Sequence, residues 1–348
     1  MKKIYIAAGG TGGHINAAIS LGDKLEGNYD VVYISGDRYL DFQLLKDRKV
    51  IHISAKPLRT KNPLKLVINI TSNLMVFLRL IIMILKDSPS FLIGTGGYVC
   101  GPTLFAGKLL GKVIFIVEQN AVLGLTNKAL SKISNIVFLN FKNTRGVNRK
   151  TKVIAAGNPI RSSIQASVNT VSQEPNIFVF GGSLGAEQIN KAVFDLVEEG
   201  FDYKVNIYHQ VGRNKKNDSI NIGKNIKYTQ VEYVDNINEK YKWANIIISR
   251  AGASTISELR VIKRPSILIP LPMATDNHQE LNALELKDEN IFYVDVLDKK
   301  LKEIELGNKI RESITEIIQK KLYYQNDKPI VDAADEIINE IKQYVRNK

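Results

Sequence analysis

The chain has 348 residues, a formal net charge of +13 and 44% hydrophobic residues, which is enough for two domains with substantial cores. Its one cysteine, Cys100, excludes an internal disulfide and is typical of a reducing cytoplasm. The positive charge indicates acidic partners such as phosphate-rich ligands or an anionic membrane face, whereas no zinc-finger spacing or RNP-type motif supports nucleic acid.

The first predicted element is a buried strand over residues 4–8, which breaks into a glycine-rich loop from Gly9 to His14 before a helical pattern. Glycines let a ligand approach the main chain, and unpaired amides at a helix start attract an anion. We therefore predict a phosphate-binding loop rather than a plain tight turn. The loop departs from the G-x-G-x-x-G fingerprint because the third position is Ile15, although Asp37 could still hold the ribose of a dinucleotide.

Apolar strand-like runs recur along the chain with helical patterns between several of them, which is typical of doubly wound parallel sheets. A polar stretch at 167–176 indicates a linker, after which strand, double glycine and helix follow again. We therefore predict an α/β fold of two Rossmann-like domains, residues 1–161 and 162–327, with a cleft between them. The predicted strands are 31–34, 50–53, 91–93, 113–117, 135–139 and 152–155 in the first half, and 177–180, 204–210, 226–231, 245–248, 266–269 and 291–294 in the second.

Residues 64–86 are the most apolar stretch and are about long enough to span a bilayer as one helix, but polar residues interrupt them. One interpretation is a buried crossover helix. The other is a helix pair docked in the membrane interface, with a basic flank beside anionic headgroups. We expect peripheral binding rather than a transmembrane span. The basic flank is Lys56, Arg59, Lys61 and Lys65.

A second glycine loop, residues 94–102, directly follows the strand at 91–93. Ligands of parallel sheets bind beyond the carboxyl ends of the strands, so this loop and the first are expected to open on the same face. Two such loops can hold a diphosphate without a metal. The four histidines show no metal-ligand spacing, and D-x-D, phosphate-loop and G-x-S-x-G motifs are missing from the sequence.

A third candidate anion site is the helix start that follows the strand at 245–248. Ser254 and Thr255 can add hydroxyl donors there, and Glu258 could take a ribose diol. Alternatively, Glu258 is only a favourable charge in a first helical turn. The following segment, 270–283, is dense in hydrogen-bonding side chains suited to sugar hydroxyls, although Gln279 could equally be a surface residue.

Seven motifs occur in a fixed order over nearly the whole chain. They are GGTGGH at 9–14, GTGGYVCGP at 94–102, EQNAVLGLTNK at 118–128, GNPIR at 157–161, GGSLGA at 181–186, RAGASTISE at 250–258 and DNHQELNA at 276–283. In this set and order the sequence resembles the MurG family of UDP-N-acetylglucosamine-dependent transferases of peptidoglycan synthesis.

The resemblance implies a GT-B fold with an interdomain active site and a last helix, within 328–348, that crosses back to the first domain. It implies transfer of N-acetylglucosamine (GlcNAc) from UDP-GlcNAc to the C4 hydroxyl of undecaprenyl-diphosphate-linked MurNAc-pentapeptide, with inversion. UDP-GlcNAc is then a substrate, and no cofactor or bound metal is expected. The implied location is the cytoplasmic face of the membrane, peripherally attached, with cell-wall synthesis proteins as possible partners.

The resemblance also implies roles for individual residues. His14 is the catalytic base or orients the acceptor, since a base of near-neutral pKa suits proton removal from a hydroxyl. Glu258 holds the ribose and the backbone of Val234 the uracil. The implied donor-binding residues are Thr11, Gly12, Gly13, Asn120, Arg161, Ser183, Val234, Ala253, Ser254, Thr255, Glu258, Gln279 and Asn282, and the acceptor diphosphate is expected at Gly10, Thr11, Gly12, Gly13, Thr95, Gly96, Gly97 and Tyr98.

The chain departs from the family pattern at three positions: Val117 replaces a histidine, Leu184 a glutamine and Ala17 a proline. None of them is assigned to chemistry. Two other functions use the same fold and sugar nucleotide, a UDP-GlcNAc 2-epimerase and a glycolipid galactosyltransferase, but the motifs at 94–102 and 276–283 argue against both. A non-catalytic UDP-sugar-binding subunit that recruits a partner to the membrane is the alternative from another class, and intact His14, Glu258 and Gln279 argue against it.

Overall fold

The computed structural model describes residues 1–56, 63–148, 150–164, 174–182, 184–322 and 332–348, without the side chains of residues 65, 66 and 275. The predicted site residue Ser183 lies outside the described residues, as do Arg59, Lys61 and most of the predicted linker. The chain divides into two compact units. Unit 1 is Met1–Ser162 with Val331–Lys348, and unit 2 is Ser163–Ile330.

Unit 1 alternates strands and helices, as the periodicity predicts. Its strands are β1 Lys2–Ala7, β2 Tyr29–Ser35, β3 Val50–His52, β4 Phe91–Gly94, β5 Val113–Glu118, β6 Ile136–Leu139 and β7 Val153–Ile154. Its helices are α1 Gly12–Leu25, α2 Tyr39–Leu44, α3 Pro63–Asp87, α4 Cys100–Leu109, α5 Leu125–Leu130 and, at the end of the described chain, α11 Ala333–Arg346. The strands form one parallel sheet in the order β3-β2-β1-β4-β5-β6-β7.

Unit 2 repeats this architecture with six parallel strands in the order β10-β9-β8-β11-β12-β13. These strands are β8 Asn176–Phe180, β9 Val205–Gln210, β10 Ile226–Val231, β11 Ile246–Ser249, β12 Ser266–Leu268 and β13 Val294–Val296. The helices are α6 Glu187–Glu199, α7 Ile237–Trp243, α8 Ala253–Ile262, α9 His278–Asp288 and α10 Glu303–Gln319, with a 3₁₀ turn at Thr275–Asn277. The prediction of two doubly wound parallel sheets is confirmed.

One predicted strand is misplaced. The apolar run at 291–294 predicts a strand there, but β13 begins at Val294 and continues through Asp295. The Asp295 carboxylate accepts a hydrogen bond from Ser313 of α10 at 2.6 Å, which allows a charged residue in this edge strand.

The core of unit 1 is built from the apolar stripes of helices that cover the sheet. Ile15, Ala18, Leu21 and Leu25 recur at helical spacing along α1 and are buried against β1 and its neighbours. Helix α11 adds side chains to the same core, including Ile337 and Ile341, so the two ends of the described chain belong to one unit.

Helix α3 has two unlike sides. Leu80 and Ile84 are fully buried against the sheet, whereas most of the opposite side is exposed although it is apolar. A single helix replaces the predicted helix pair, and the buried-crossover interpretation applies to only one of its sides. By length and composition Val67–Asp87 could cross a membrane, and 11% of its most apolar window is buried. The exposed apolar residues are Leu64, Val67, Ile68, Ile70, Leu74, Met75, Leu78, Ile82 and Leu85.

Candidate functional site

The candidate sites lie where the strand order reverses in each sheet. In unit 1, β1 pairs with β4 at this point, and the glycine loops at 9–14 and 94–102 follow these two strands. In unit 2, β8 pairs with β11, and they are followed by the loop at 181–186 and the start of α8. Because ligands of doubly wound sheets bind beyond the strand ends at such points, each unit has one favoured binding edge.

His14 lies in the first turn of α1, two residues after the helix begins. Thr11 is the N-cap residue, and its hydroxyl accepts a hydrogen bond from the backbone N–H of His14 at 3.4 Å. The imidazole Nδ1 lies 3.2 Å from the carbonyl oxygen of Gly9. A carbonyl can only accept, so Nδ1 carries the proton in this contact and Nε2 is the basic nitrogen of the neutral ring.

The second glycine loop packs directly on the first. Gly96 and Gly97 have φ values of +111° and +90°, which favour glycine. A Cβ atom on Gly97 would lie 2.0 Å from the carbonyl oxygen of Gly9, and one on Gly96 would lie 2.8 Å from the imidazole of His14. Only glycine therefore permits this contact between the loops.

Two buried side chains hold the second loop in place. Thr95 is fully buried and donates its hydroxyl to the carbonyl oxygen of His14 at 2.8 Å. The thiol of Cys100 contacts the carbonyl oxygens of Ala7 and Gly96, and burial raises its pKa to about 12. Thr95, which the sequence assigns to the acceptor diphosphate, uses its hydroxyl to support the loop.

The buried carboxylate of Asp41 holds the first loop in place through hydrogen bonds, a role that the sequence does not predict. Asp41 is fully buried, and its Oδ1 accepts from the backbone N–H groups of Gly10 and Gly36 at 3.4 and 3.1 Å and from the hydroxyl of Ser35 at 2.9 Å. The predicted site residue Gly10 has a φ of +86° and lies beneath the ring of Tyr98. Burial and the nearby Asp41 charge raise the pKa of the Tyr98 phenol.

Asn120 is positioned by the buried carboxylate of Glu118 at the end of β5. Oε1 of Glu118 accepts from the backbone and side-chain nitrogens of Asn120 at 2.9 and 3.2 Å. Its Oε2 accepts from Gly124 and from the amide of Asn127 at 3.1 and 2.9 Å. With four donors on one carboxylate, Glu118 shapes the loop that presents Asn120.

Arg161 is an exposed residue of unit 1 and follows β7 in an irregular segment. The preceding residue, Ile160, is held by a hydrogen bond of 2.7 Å from the hydroxyl of Ser20 on α1. Arg161 therefore extends from a segment that is anchored to the helix carrying His14.

The start of α8 is the candidate anion site in unit 2. Gly252 is the N-cap residue and has no side chain to cap the amides that follow. Ala253, Ser254 and Thr255 are the first three residues of the helix and are partly exposed. Their amides and hydroxyls can meet a phosphate.

Glu258 lies in the second turn of α8, so the alternative interpretation as a first-turn charge is wrong. It is buried, and its Oε2 accepts the hydroxyl of Tyr241 at 2.6 Å. This contact holds the carboxylate in one orientation.

Gln210 contacts two segments that the sequence assigns to donor binding. The sequence does not predict this role for Gln210 itself. It is buried at the end of β9, donates its amide to the carbonyl oxygen of Gly182 at 2.9 Å, and accepts the backbone N–H of Val234 at 3.1 Å. Because this contact occupies the N–H of Val234, its carbonyl is the group that can face a uracil.

The two residues assigned to sugar hydroxyls differ in exposure. Gln279 is partly exposed near the start of α9 and accepts the backbone N–H of Leu271 at 2.9 Å. Asn282 is fully buried and donates to the carbonyl oxygen of Ala251 at 3.3 Å, so it supports the start of α8 instead of presenting its amide to solvent. Arg250 supports the same region by donating to the carbonyls of Ile269 and Pro270 at 3.1 Å each.

His209 is a structural histidine of unit 2. It is fully buried between Asn190 and Tyr228, whose side-chain oxygens lie 3.1 and 3.0 Å from its ring nitrogens. Burial lowers its pKa to about 3, so it is neutral near pH 7. Within the described ranges, no group of three or more His, Cys, Asp or Glu side chains is arranged to hold a metal ion.

Comparisons with known proteins cover both units. The family models of the glycosyltransferase family 28 N-terminal and C-terminal domains match residues 4–139 and 176–341. A Myxococcus xanthus protein is 32% identical over 91% of this chain and 85% of its own length. A Rickettsia canadensis protein is 37% identical over 83% of this chain and 84% of its own length. Both are named UDP-N-acetylglucosamine–N-acetylmuramyl-(pentapeptide) pyrophosphoryl-undecaprenol N-acetylglucosamine transferase.

A solved structure shows the shared fold. MurG from Acinetobacter baumannii is 24% identical, with a TM-score of 0.80 over 99% of this chain and 100% of that chain. Together with the family-28 matches and the extent of the sequence identity, this likeness leads to one conclusion: the chain belongs to the MurG family of glycosyltransferases.

Proposed function

We propose that this protein transfers GlcNAc from UDP-GlcNAc to the C4 hydroxyl of MurNAc-pentapeptide on undecaprenyl diphosphate, which converts lipid I to lipid II in peptidoglycan synthesis. The name shared by the relatives states the donor, the lipid-linked acceptor and the transferred sugar. The structural observation that carries the proposal is the contact between His14 and Gly9. It supports a tautomer with the proton on Nδ1, in which Nε2 is the basic nitrogen of a ring that lies against both glycine loops.

The reaction is a single displacement with inversion. The acceptor C4 oxygen forms a bond to the anomeric carbon as the bond between that carbon and the UDP oxygen breaks. His14 Nε2 accepts the C4 hydroxyl proton, or orients the hydroxyl, as the attack proceeds. The glycine loops at 9–14 and 94–102 receive the acceptor diphosphate through the parts of their main chain that are only partly buried.

The leaving UDP gains negative charge during this step. The amides of Ala253, Ser254 and Thr255 at the positive end of α8 stabilise that charge. Glu258, oriented by Tyr241, accepts the ribose hydroxyls, and the carbonyl of Val234 meets the uracil. The other proposed donor contacts are Thr11, Gly12, Gly13, Asn120, Arg161, Ser183 and Gln279, with Asn282 acting through its support of the start of α8.

We further propose that the protein binds the cytoplasmic face of the membrane peripherally through α3. Its outer side is a contiguous apolar surface, because the exposed residues recur at helical spacing from Leu64 to Leu85. The backbone of Lys56, in the basic flank, exchanges two hydrogen bonds with Asn73 of α3, at 2.7 and 2.8 Å. The contact holds Lys56 next to α3, which supports the proposal because an anionic headgroup layer would attract its charge.

A transfer assay with radiolabelled UDP-GlcNAc and a lipid I analogue tests the function. We expect a labelled disaccharide product with the inverted anomeric configuration. UDP-GlcNAc binding without product would favour the non-catalytic subunit, and release of UDP with an epimerised sugar would favour a 2-epimerase. Either outcome would overturn the proposal.

A further inference from the structure

Arg38 holds a guanidinium group beside both glycine loops of unit 1. Its Nη1 lies 3.5 Å from the carbonyl oxygen of Gly10 in the first loop. Its Cζ lies 5.0 Å from the ring centre of Tyr98 in the second loop, a distance typical of a cation–π contact. The side chain is nevertheless exposed, so the group is oriented by two contacts and still open to a ligand.

Arg38 forms no ion pair with any of the described residues. Among the described residues, no carboxylate oxygen lies within 4.0 Å of its guanidinium. The nearby acid Asp41 is committed to Gly10, Gly36 and Ser35. Elsewhere in unit 1, Arg48 is paired with both Asp23 and Glu26.

The glycine loops need such a cation if they hold a diphosphate. They supply amides and partial charges but no fixed positive charge, and the amide of Gly10 is engaged by Asp41 at 3.4 Å. A guanidinium presents a planar fork of donors that suits phosphate oxygens, and stacking on an aromatic ring pre-organises it.

We propose that Arg38 binds the diphosphate of the prenyl-diphosphate-linked acceptor. This inference rests on the proposed function and adds a residue to its acceptor site. The shared chemistry is a phosphate ester, which a membrane headgroup would also present, so the experiment must separate these two sources.

The test uses the full chain with Arg38→Met, Arg38→Lys and the control Lys49→Met. Lys49 is an exposed cation of unit 1 that is paired with Asp30, so its variant loses the same charge away from the loops. We expect Arg38→Met to raise KM for a lipid I analogue by about 10- to 100-fold, with Arg38→Lys between it and wild type. KM for UDP-GlcNAc should remain within about twofold of the wild-type value in all three variants. A twofold change is smaller than the effect of losing one hydrogen bond to a charged group.

Two binding measurements complete the design. Calorimetry with geranyl diphosphate, in the presence of saturating UDP, should show the same loss for Arg38→Met without depending on turnover. Sedimentation with anionic vesicles should be equal for Arg38→Met and Lys49→Met. If the wild type does not turn over, the proposed function fails while calorimetry still decides the role of Arg38.

Unchanged geranyl diphosphate affinity in Arg38→Met would overturn the inference. So would a loss of vesicle binding that matches the change in acceptor KM, because Arg38 would then contact headgroups. A lower melting temperature of Arg38→Met with equal losses for donor and acceptor would show a structural role, which also contradicts the proposal.

Discussion

The hydroxyl of Tyr241 donates to Oε2 of Glu258 over 2.6 Å, and both side chains are buried. The contact keeps the Glu258 carboxylate ready to accept hydroxyls from a ribose. We predict that Glu258→Ala weakens UDP binding by about 1–3 kcal/mol, the cost of losing hydrogen bonds to a charged group. Tyr241→Phe, which keeps the carboxylate but frees its orientation, should cost less. Calorimetry with UDP measures both, and unchanged affinity in Glu258→Ala would exclude the ribose contact.

His14 should matter for turnover more than for donor binding. We expect His14→Ala to lower kcat by about 10²–10⁴-fold, the usual effect of removing a positioned acid or base. UDP-GlcNAc affinity should barely change, because the proposed donor contacts lie mainly in unit 2. Turnover, donor affinity and melting temperature are compared on one preparation.

The alternative for His14 is a structural role in the loop. Its contact with Gly9 and its position against Gly96 would support that role, and His14→Ala would then melt at a clearly lower temperature. His14→Asn is the matched control, because its amide can donate to the Gly9 carbonyl without supplying a base. Near-normal turnover in either variant rules out catalysis by this residue.

The apolar side of α3 and its basic flank should determine membrane attachment. We expect high salt, or the triple change of Lys56, Arg59 and Lys61 to Gln, to release the protein from anionic vesicles, because headgroup attraction is screened by salt. Leu74→Gln with Leu78→Gln should weaken binding even at low salt. Sedimentation with vesicles measures both effects.

A matched control for these variants is Ile304→Gln on α10 of unit 2, since Ile304 is also an exposed large apolar residue but lies outside the proposed surface. It should bind vesicles as wild type does. Release by detergent alone would mean that α3 spans the membrane and that peripheral attachment is wrong.

The buried His209 should make unit 2 sensitive to acid. Its pKa is about 3 in the folded protein and about 6.5 in the unfolded chain, so the unfolded state binds the proton more readily. The free energy of unfolding therefore has its full value, as far as His209 is concerned, above pH 6.5. It decreases as the pH falls towards 3, by up to about 1.4 kcal/mol per pH unit. Denaturant unfolding followed by the fluorescence of Trp243, the only tryptophan, reports on unit 2.

His209→Gln, which retains a donor for Asn190, should be less stable at pH 7 but should lose less stability between pH 6.5 and 4.5. Carboxylates titrate in both proteins and affect both equally. The difference between the two slopes of unfolding free energy against pH therefore reports the contribution of His209. Parallel slopes would show that His209 does not carry this pH dependence.

Much of the fold was predictable because strands buried on both faces are apolar at every position. The runs at 91–93 and 113–117 identified β4 and β5 in this way. β13 was misplaced because an edge strand tolerates Asp295, and a polar residue there interrupts the apolar pattern. The sequence alone left the core side and the exposed side of α3 undecided, because both sides are largely apolar and the few polar residues do not mark which one faces outward.

The glycine loops and helix starts were predictable because their residue types have few other uses. Their supports were not, because Asp41, Glu118 and Gln210 act through contacts whose partners only the fold brings together. For the same reason, the sequence does not show that the side chains of Thr95 and Asn282 bond to neighbouring carbonyls. Sequence shows a polar side chain next to a ligand loop, but not the direction in which it points.

The place of α11 in the core of unit 1 has a consequence for biosynthesis. Ile337 and Ile341 complete that core, yet they leave the ribosome only after all of unit 2 has been made. Unit 2 is continuous in sequence and can finish folding first, while unit 1 waits with an uncovered apolar surface beside α1. Synthesis from the N-terminus therefore allows unit 2 to be completed before unit 1, although unit 1 begins first. A nascent chain arrested before residue 333 should engage chaperones through unit 1.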